Sequence, residues 1–245
     1  MIKREARQVA RMAGQNGAGC GDGYIHLGLP GLKRISITQE GRAYKLDWEK
    51  VALVLLAGGR GTRFGSDKLA AELLGRSLLE HSAAIYAAIP FARRVLVLGP
   101  ASQRGRDFHL VGYRTVRPAA CDLPQSASLR AGVEAAGIDG IDAIMVALAD
   151  MPLVSASHLE ALRGTFDGRG PVASGLDGAA GPPAIFPVAM HRQMIDRTGD
   201  KGARGLLAGA PLIAAPREVL ADVDTPEDLA GVAEIMALKR RTPGG

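Results

Sequence analysis

Four polar clusters in this 245-residue chain have residue types and spacing that could do chemistry. The first is the turn Leu56-Ala57-Gly58-Gly59-Arg60-Gly61-Thr62-Arg63-Phe64-Gly65-Ser66-Asp67-Lys68. Glycines there let backbone N–H groups approach a phosphate or a base closely. Arg63 brings a planar fork of donors and Lys68 a compact charge, both suited to phosphate oxygens. The second is Asp150, which ends the apolar run Ala143–Ala149 and precedes Met151-Pro152-Leu153. A carboxylate leaving a strand at its carboxyl end can hold a hard cation such as Mg²⁺, which binds through one or two carboxylates plus phosphate oxygens. It could equally cap the following helix. The third is the acidic stretch Asp222-Val223-Asp224-Thr225-Pro226-Glu227-Asp228, where Asp224 could serve a helix start while Asp228 faces its positive end. The fourth is Gln125-Ser126-Ala127-Ser128-Leu129, a helix start whose N–H groups and hydroxyls suit an anion or a base edge. His26, His81, His109, His158 and His191 have no ligand spacing and read as packing or surface residues.

Two familiar phosphate loops fail on these residues. A P-loop needs Gly-Lys-Ser/Thr where Gly65 is followed by Ser66-Asp67. A dinucleotide fingerprint starting at Gly59 needs glycine where Phe64 stands, and an acid after the second strand where Leu98-Gly99-Pro100 stands.

The elements that must position these clusters are legible from periodicity. Val51–Ala57 is a continuous apolar run of the buried parallel-strand type. After it, strands are expected at 94–98, 113–116, 143–149, 171–174 and 184–186. Helices are expected at 78–89, 124–136, from Ser155 to Arg163, at 188–197, at 203–208 and from a Thr225 cap. This alternation predicts a doubly wound, mostly parallel α/β sheet with ligands at the carboxyl ends of its strands. One domain over 49–240 is expected. Residues 1–48, rich in Gly and polar residues around 14–23, read as an irregular N-terminal extension with a short β pair near 34–38 and 43–46.

Composition narrows the partners. The net charge of +5 is concentrated in residues 1–50, where nine Lys/Arg face five acids, and the remainder is nearly neutral. With only 4% aromatics to stack bases, this argues against nucleic acid as a partner. Cys20 and Cys121 form neither a metal spacing nor a disulfide framework, so a reducing, cytoplasmic setting is expected. No apolar run approaches membrane-spanning length, and no membrane association is expected.

The Gly-rich turn resembles the signature L-A-[AG]-G-x-[SG]-x-R-[MF]-G-x-x-K of the MobA-like NTP transferases, and meets every fixed position from Leu56 to Lys68. The later segments Asp150-Met151-Pro152-Leu153 and Asp222-Val223-Asp224-Thr225-Pro226-Glu227-Asp228-Leu229 resemble further motifs of that family. Ser126-Ala127-Ser128-Leu129-Arg130-Ala131-Gly132, Gly181-Pro182-Pro183-Ala184-Ile185-Phe186 and Gly199-Asp200-Lys201-Gly202-Ala203-Arg204-Gly205-Leu206-Leu207 are similar to elements of its molybdenum cofactor cytidylyltransferases. The resemblance spans roughly residues 50–235. It implies a Rossmann-like fold of the nucleotide-diphospho-sugar transferase type and a Mg²⁺-dependent transfer of NMP to a phosphorylated acceptor, most closely CMP to molybdopterin. It further implies that Leu56, Ala57, Gly58, Gly59, Arg60, Gly61, Arg63, Lys68, Ser126, Ser128 and Leu129 contact the nucleotide, with Arg63, Lys68 and Asp150 catalytic. Asp150 would bind metal with Asp222 or Asp224, and Pro183, Asp200 and Arg204 would line the acceptor side. A recipient molybdoenzyme or its chaperone is the protein partner this implies. The match departs from the cytidylyltransferases at Ala57-Gly58-Gly59, where they usually carry Ala-Ala-Gly and guanylyltransferases carry the double glycine; CTP is favoured over GTP on the later motifs. A non-catalytic nucleotide- or cofactor-binding module is the reading from a different class.

Overall fold

The computed structural model describes residues 44–58, 64, 67–99, 110–118, 125–196 and 202–241. Residues 1–43, the bulk of the expected extension, lie outside them, as do Gly59, Arg60, Gly61, Arg63 and Asp200.

Val51–Ala57 (β1) is buried along its whole length because it runs through the middle of the sheet with helices on both faces. Arg93–Leu98 (β4) lies parallel on one side, followed by Arg114–Val116 (β5). On the other side Ala143–Leu148 (β6) pairs parallel with β1. Beyond it the sheet continues with Ala179–Pro187 (β8), Val172–Leu176 (β7) and Leu212–Ala214 (β9), giving the order β5-β4-β1-β6-β8-β7-β9. Only β8 runs antiparallel to its neighbours. Glu72–Leu73 (β2) and Arg76–Ser77 (β3) form a separate two-stranded pair. The sheet is therefore mostly parallel, as the alternation of elements predicts.

The chain leaves β1 toward β4 and β5 and then crosses back to β6. The order reverses between β1 and β6, and at such a switch point a crevice opens above the carboxyl ends of the strands.

Alternate residues of β1 feed two cores. Leu53 and Leu55, with Met145 of β6, pack under Leu78–Ala87 (α1) and Ala156–Thr165 (α3). Val54 and Leu56, with Val95 and Val97, pack under Gln125–Ala136 (α2) and His191–Ile195 (α4). Pro226–Arg241 (α5) joins the first core through Val232. Gly132 lets α2 sit this close: a Cβ there would fall 2.4 Å from Val54 Cγ1 and 2.7 Å from Val97 Cγ2.

The packed body begins N-terminal of the expected boundary at 49. Leu46 and Trp48 are buried in the first core, Trp48 Nε1 donates to Glu160 Oε1 at 2.6 Å, and Arg163 Nη1 donates to the Leu46 carbonyl at 2.9 Å. Of the expected β pair only residues 44–46 are described, and they form no strand. The segment 188–197 is a 3₁₀ turn, Val188–Met190, followed by the five-residue α4 rather than one helix, and Gly202–Leu206 is 3₁₀.

Candidate functional site

The switch-point crevice is built by strand ends that converge more closely than side chains would permit. Gly58 follows β1 and Gly99 follows β4; a Cβ on Gly99 would lie 2.5 Å from Gly58 Cα, and one on Gly58 would lie 3.0 Å from Ser128 Oγ. The end of β1, the end of β4 and the first turn of α2 thus meet at one point. Ser126 and Ser128 are both buried in that turn. The Leu56 and Leu129 side chains belong to the second core beneath it.

Lys68 reaches the crevice from a short 3₁₀ turn, Lys68–Ala70, which Asp67 caps by accepting from Leu69 N–H at 3.2 Å. Its ammonium is buried and donates to three acceptors: Asp150 Oδ2 at 2.8 Å, Asp224 Oδ1 at 2.8 Å and the Val223 carbonyl at 2.9 Å. Three segments far apart in the chain, around residues 68, 150 and 223–224, therefore converge on one nitrogen. The Asp222–Asp224 stretch is moored by Val223, whose side chain is fully buried and whose N–H donates to the Asp150 carbonyl at 3.0 Å. Its neighbours differ in exposure: Asp222 is exposed, whereas Asp224 is half-buried against Lys68.

Asp224 is held from behind by Asp228. The Asp228 carboxylate accepts from the N–H of Asp224 at 3.0 Å and of Thr225 at 2.8 Å, while the Thr225 hydroxyl accepts from Asp228 N–H at 3.2 Å. This is a reciprocal cap at the start of α5. Asp228 is exposed at the helix start, as expected, and in addition it positions the Asp224 backbone, a role for which the Thr225-x-x-Asp228 spacing was the signal. The Val223 carbonyl, an acceptor for Lys68, carries no signal in sequence at all.

The electrostatics follow from burial and from this shared cation. Burial alone would lower the Lys68 ammonium, but attraction and hydrogen bonds to Asp150 and Asp224 outweigh it and hold the group above its ordinary value. Burial pushes the Asp150 carboxyl above the usual carboxylate range; Lys68 pulls it part of the way back, and the charge of Asp222 pushes it up again. Asp228 is pulled below the usual range: slight burial raises it, and the hydrogen bonds from Thr225 and Asp224 more than reverse that.

The donor set fits a hard divalent cation. Asp150 Oδ1 is buried and has no hydrogen-bond partner, so one oxygen of this carboxylate still lacks a donor or a cation. Among the described residues no three His, Cys, Asp or Glu side chains form a ready metal cage. Two carboxylates without a cage suit Mg²⁺ or Mn²⁺, which take the rest of their shell from water and substrate phosphates.

The remaining expected site residues are dispersed. Pro183 is buried in β8, and its carbonyl accepts from Ser174 Oγ at 2.7 Å; Ser174 Oγ in turn lies 2.8 Å from His158 Nε2. Arg204 is exposed in its 3₁₀ segment. His81 and His158 are both buried packing residues. Among the described residues, no helix is long and apolar enough to cross a membrane.

Comparison with known proteins agrees with this fold. The chain is 29% identical over 211 residues to the purine catabolism protein PucB of Bacillus subtilis, covering 75% of this chain and 96% of that one. A nucleotidyl transferase from Methanothermobacter thermautotrophicus superposes with a TM-score of 0.62 at 24% identity, over 78% of this chain and 99% of that structure. The manganese complex of Rv0371c from Mycobacterium tuberculosis gives 0.63 at 23%, over 76% and 98%. Both structures show the same fold. The model of the MobA-like NTP transferase domain matches residues 53–218, from within β1 to the approach to Asp222, so the chain belongs to the MobA-like NTP transferase family and is a nucleotidyltransferase.

Proposed function

We propose that this nucleotidyltransferase moves CMP from CTP to molybdopterin, the acceptor phosphate taking the nucleotidyl group and pyrophosphate leaving. The observation that carries the reading is the convergence of Lys68, Asp150 and Asp224 above the carboxyl ends of β1 and β6, beside the Gly58–Ser128 contact. This puts a cation and two carboxylates next to a backbone shaped for close approach.

An acceptor phosphate oxygen forms a bond to the α-phosphorus as the bond from that phosphorus to the α–β bridging oxygen breaks. A phosphate nucleophile is already ionised at neutral pH, so no Ser–His or Cys–His pair is required. The work left to the protein is positioning and charge neutralisation. In this reading Gly58, Gly59, Arg60 and Gly61 bring backbone N–H groups to the nucleotide, and Arg63 and Lys68 face the triphosphate. Ser126 and Ser128 stand under the base. Asp150, with Asp224 or Asp222, would hold Mg²⁺, which when bound offsets phosphate charge and aligns the leaving group. Manganese in the Mycobacterium relative supports a divalent ion in this fold. Pro183, Asp200 and Arg204 form the acceptor side, and the product passes to a recipient molybdoenzyme or its chaperone. The name of the Bacillus relative supports a recipient of the xanthine dehydrogenase type, since such enzymes oxidise a purine.

One observation favours GTP instead: Gly58 stands where cytidylyltransferases of the family usually carry alanine. The test incubates the protein with Mg²⁺ and molybdopterin, adds CTP or GTP separately, and measures pyrophosphate. Release with CTP well above GTP is expected. Release with GTP alone would transfer the reading to guanylyl transfer, and release with neither would remove molybdopterin as the acceptor.

A further inference from the structure

Lys68 occupies the position between the two carboxylate oxygens where a metal ion would be expected to sit. Asp150 Oδ2 and Asp224 Oδ1 each lie 2.8 Å from its Nζ, and the Val223 carbonyl closes a third side at 2.9 Å. A divalent ion bonded to the same two oxygens at about 2.1 Å would stand against that nitrogen, placing two cations in contact. The lysine and the metal therefore exclude one another at this pair. An ammonium with three buried acceptors leaves only for a stronger anion, and a triphosphate is one.

We propose that Lys68 is the resident counter-ion of the Asp150–Asp224 pair, and that a divalent cation takes its place only as the triphosphate draws the ammonium away, so that nucleotide and metal enter together. This rests on the metal site of the proposed function and chooses Asp224 over Asp222 as the partner of Asp150. Asp224 already shares a cation with Asp150, whereas Asp222 is exposed and makes no bond to it.

The experiment titrates Mn²⁺ into the full chain without nucleotide and follows free Mn²⁺ by electron paramagnetic resonance. Wild type should bind Mn²⁺ alone weakly, and Lys68→Met should bind it at least tenfold more tightly. A CTP analogue with a methylene α–β bridge should tighten Mn²⁺ on wild type. In the Lys68→Met background, Asp224→Asn should abolish the gain and Asp222→Asn should keep it. Equal Mn²⁺ affinity in wild type and Lys68→Met, or the reverse order of the two aspartate variants, overturns the proposal. Should Lys68→Met fail to fold, reductive methylation of wild type read by mass spectrometry decides: Mn²⁺ alone should leave the rate at Lys68 unchanged, Mn²⁺ with the CTP analogue should alter it, and an unaltered rate with both is the overturning result. Pyrophosphate release with no tightening in Lys68→Met would remove this inference alone, whereas tightening without any pyrophosphate release would remove the catalytic reading alone.

Discussion

At the scale of single residues, Asp150 bears the most chemistry because burial and Asp222 both disfavour its charge while Lys68 retains it. Asp150→Asn keeps the shape and still accepts from Lys68, whose charge Asp224 continues to balance. The variant should therefore fold with a melting temperature close to wild type yet lose at least about a hundredfold in turnover, the order of loss when one placed electrostatic group is removed. Thermal melts beside a pyrophosphate assay check this, and near-full turnover would take Asp150 out of the metal site. Gly58 offers a subtler test. A methyl group there would press on Ser128 Oγ at 3.0 Å, narrowing the floor of the crevice and restoring the alanine usual in cytidylyltransferases. Gly58→Ala should raise the ratio of kcat/KM for CTP over GTP severalfold; an unchanged ratio would show that base choice lies elsewhere.

At the scale of elements, the helix that follows the second aspartate does more than end the fold. The Thr225–Asp228 cap satisfies the first N–H groups of α5 and, through the Asp224 N–H, fixes the backbone that presents Asp224 to Lys68. Removing such a cap costs about 1 kcal/mol, so Thr225→Ala should lower stability by that order. The pH dependence has a definite sign. The folded Asp228 carboxyl titrates below its unfolded value, so its contribution is complete above the ordinary carboxylate range and disappears as pH falls through the depressed folded value. Asp228→Asn should flatten that acid limb of a stability–pH profile; an identical limb would mean that the hydrogen bonds to Asp228 contribute nothing. The elements that were legible in sequence are those with long apolar runs: β1 spans the predicted Val51–Ala57, β6 differs from expectation by one residue at an end, and α2 fills all of its expected span that is described. The nine-residue β8 was read only as a short strand at its end, because Gly181-Pro182-Pro183 looks like a turn. The pairing shifts between Ala173 and Ser174, so Ser174 faces Gly181 while Ala173 faces Ala184, and the two prolines fall where no ladder bond is required of them.

At the scale of the whole molecule, local pattern could place each carboxylate at a strand or helix end, but not show that Lys68, 82 residues before Asp150 and 156 before Asp224, would join them. That meeting is a product of sheet order, which one sequence does not display. The same limitation explains the N-terminal boundary. Residues 44–48 have no strand or helix period, and their place is set by distant partners: Tyr44 against Phe166, Trp48 against Phe91, and Glu160 and Arg163 bonded to Trp48 and Leu46. Two shortened chains, one starting at Tyr44 and one at Glu49, isolate the contribution of these contacts. A chain starting at Glu49 removes two buried core side chains and strands the Glu160 and Arg163 partners on α3. Loss of a buried Trp alone costs about 3–5 kcal/mol, a large share of the ~5–15 kcal/mol by which a domain is stable. The shorter chain should therefore melt many degrees lower or be recovered unfolded, although it retains the whole segment from β1 to α5. Equal melting temperatures for the two truncations would show that the contacts of 44–48 are dispensable and that the domain begins at β1.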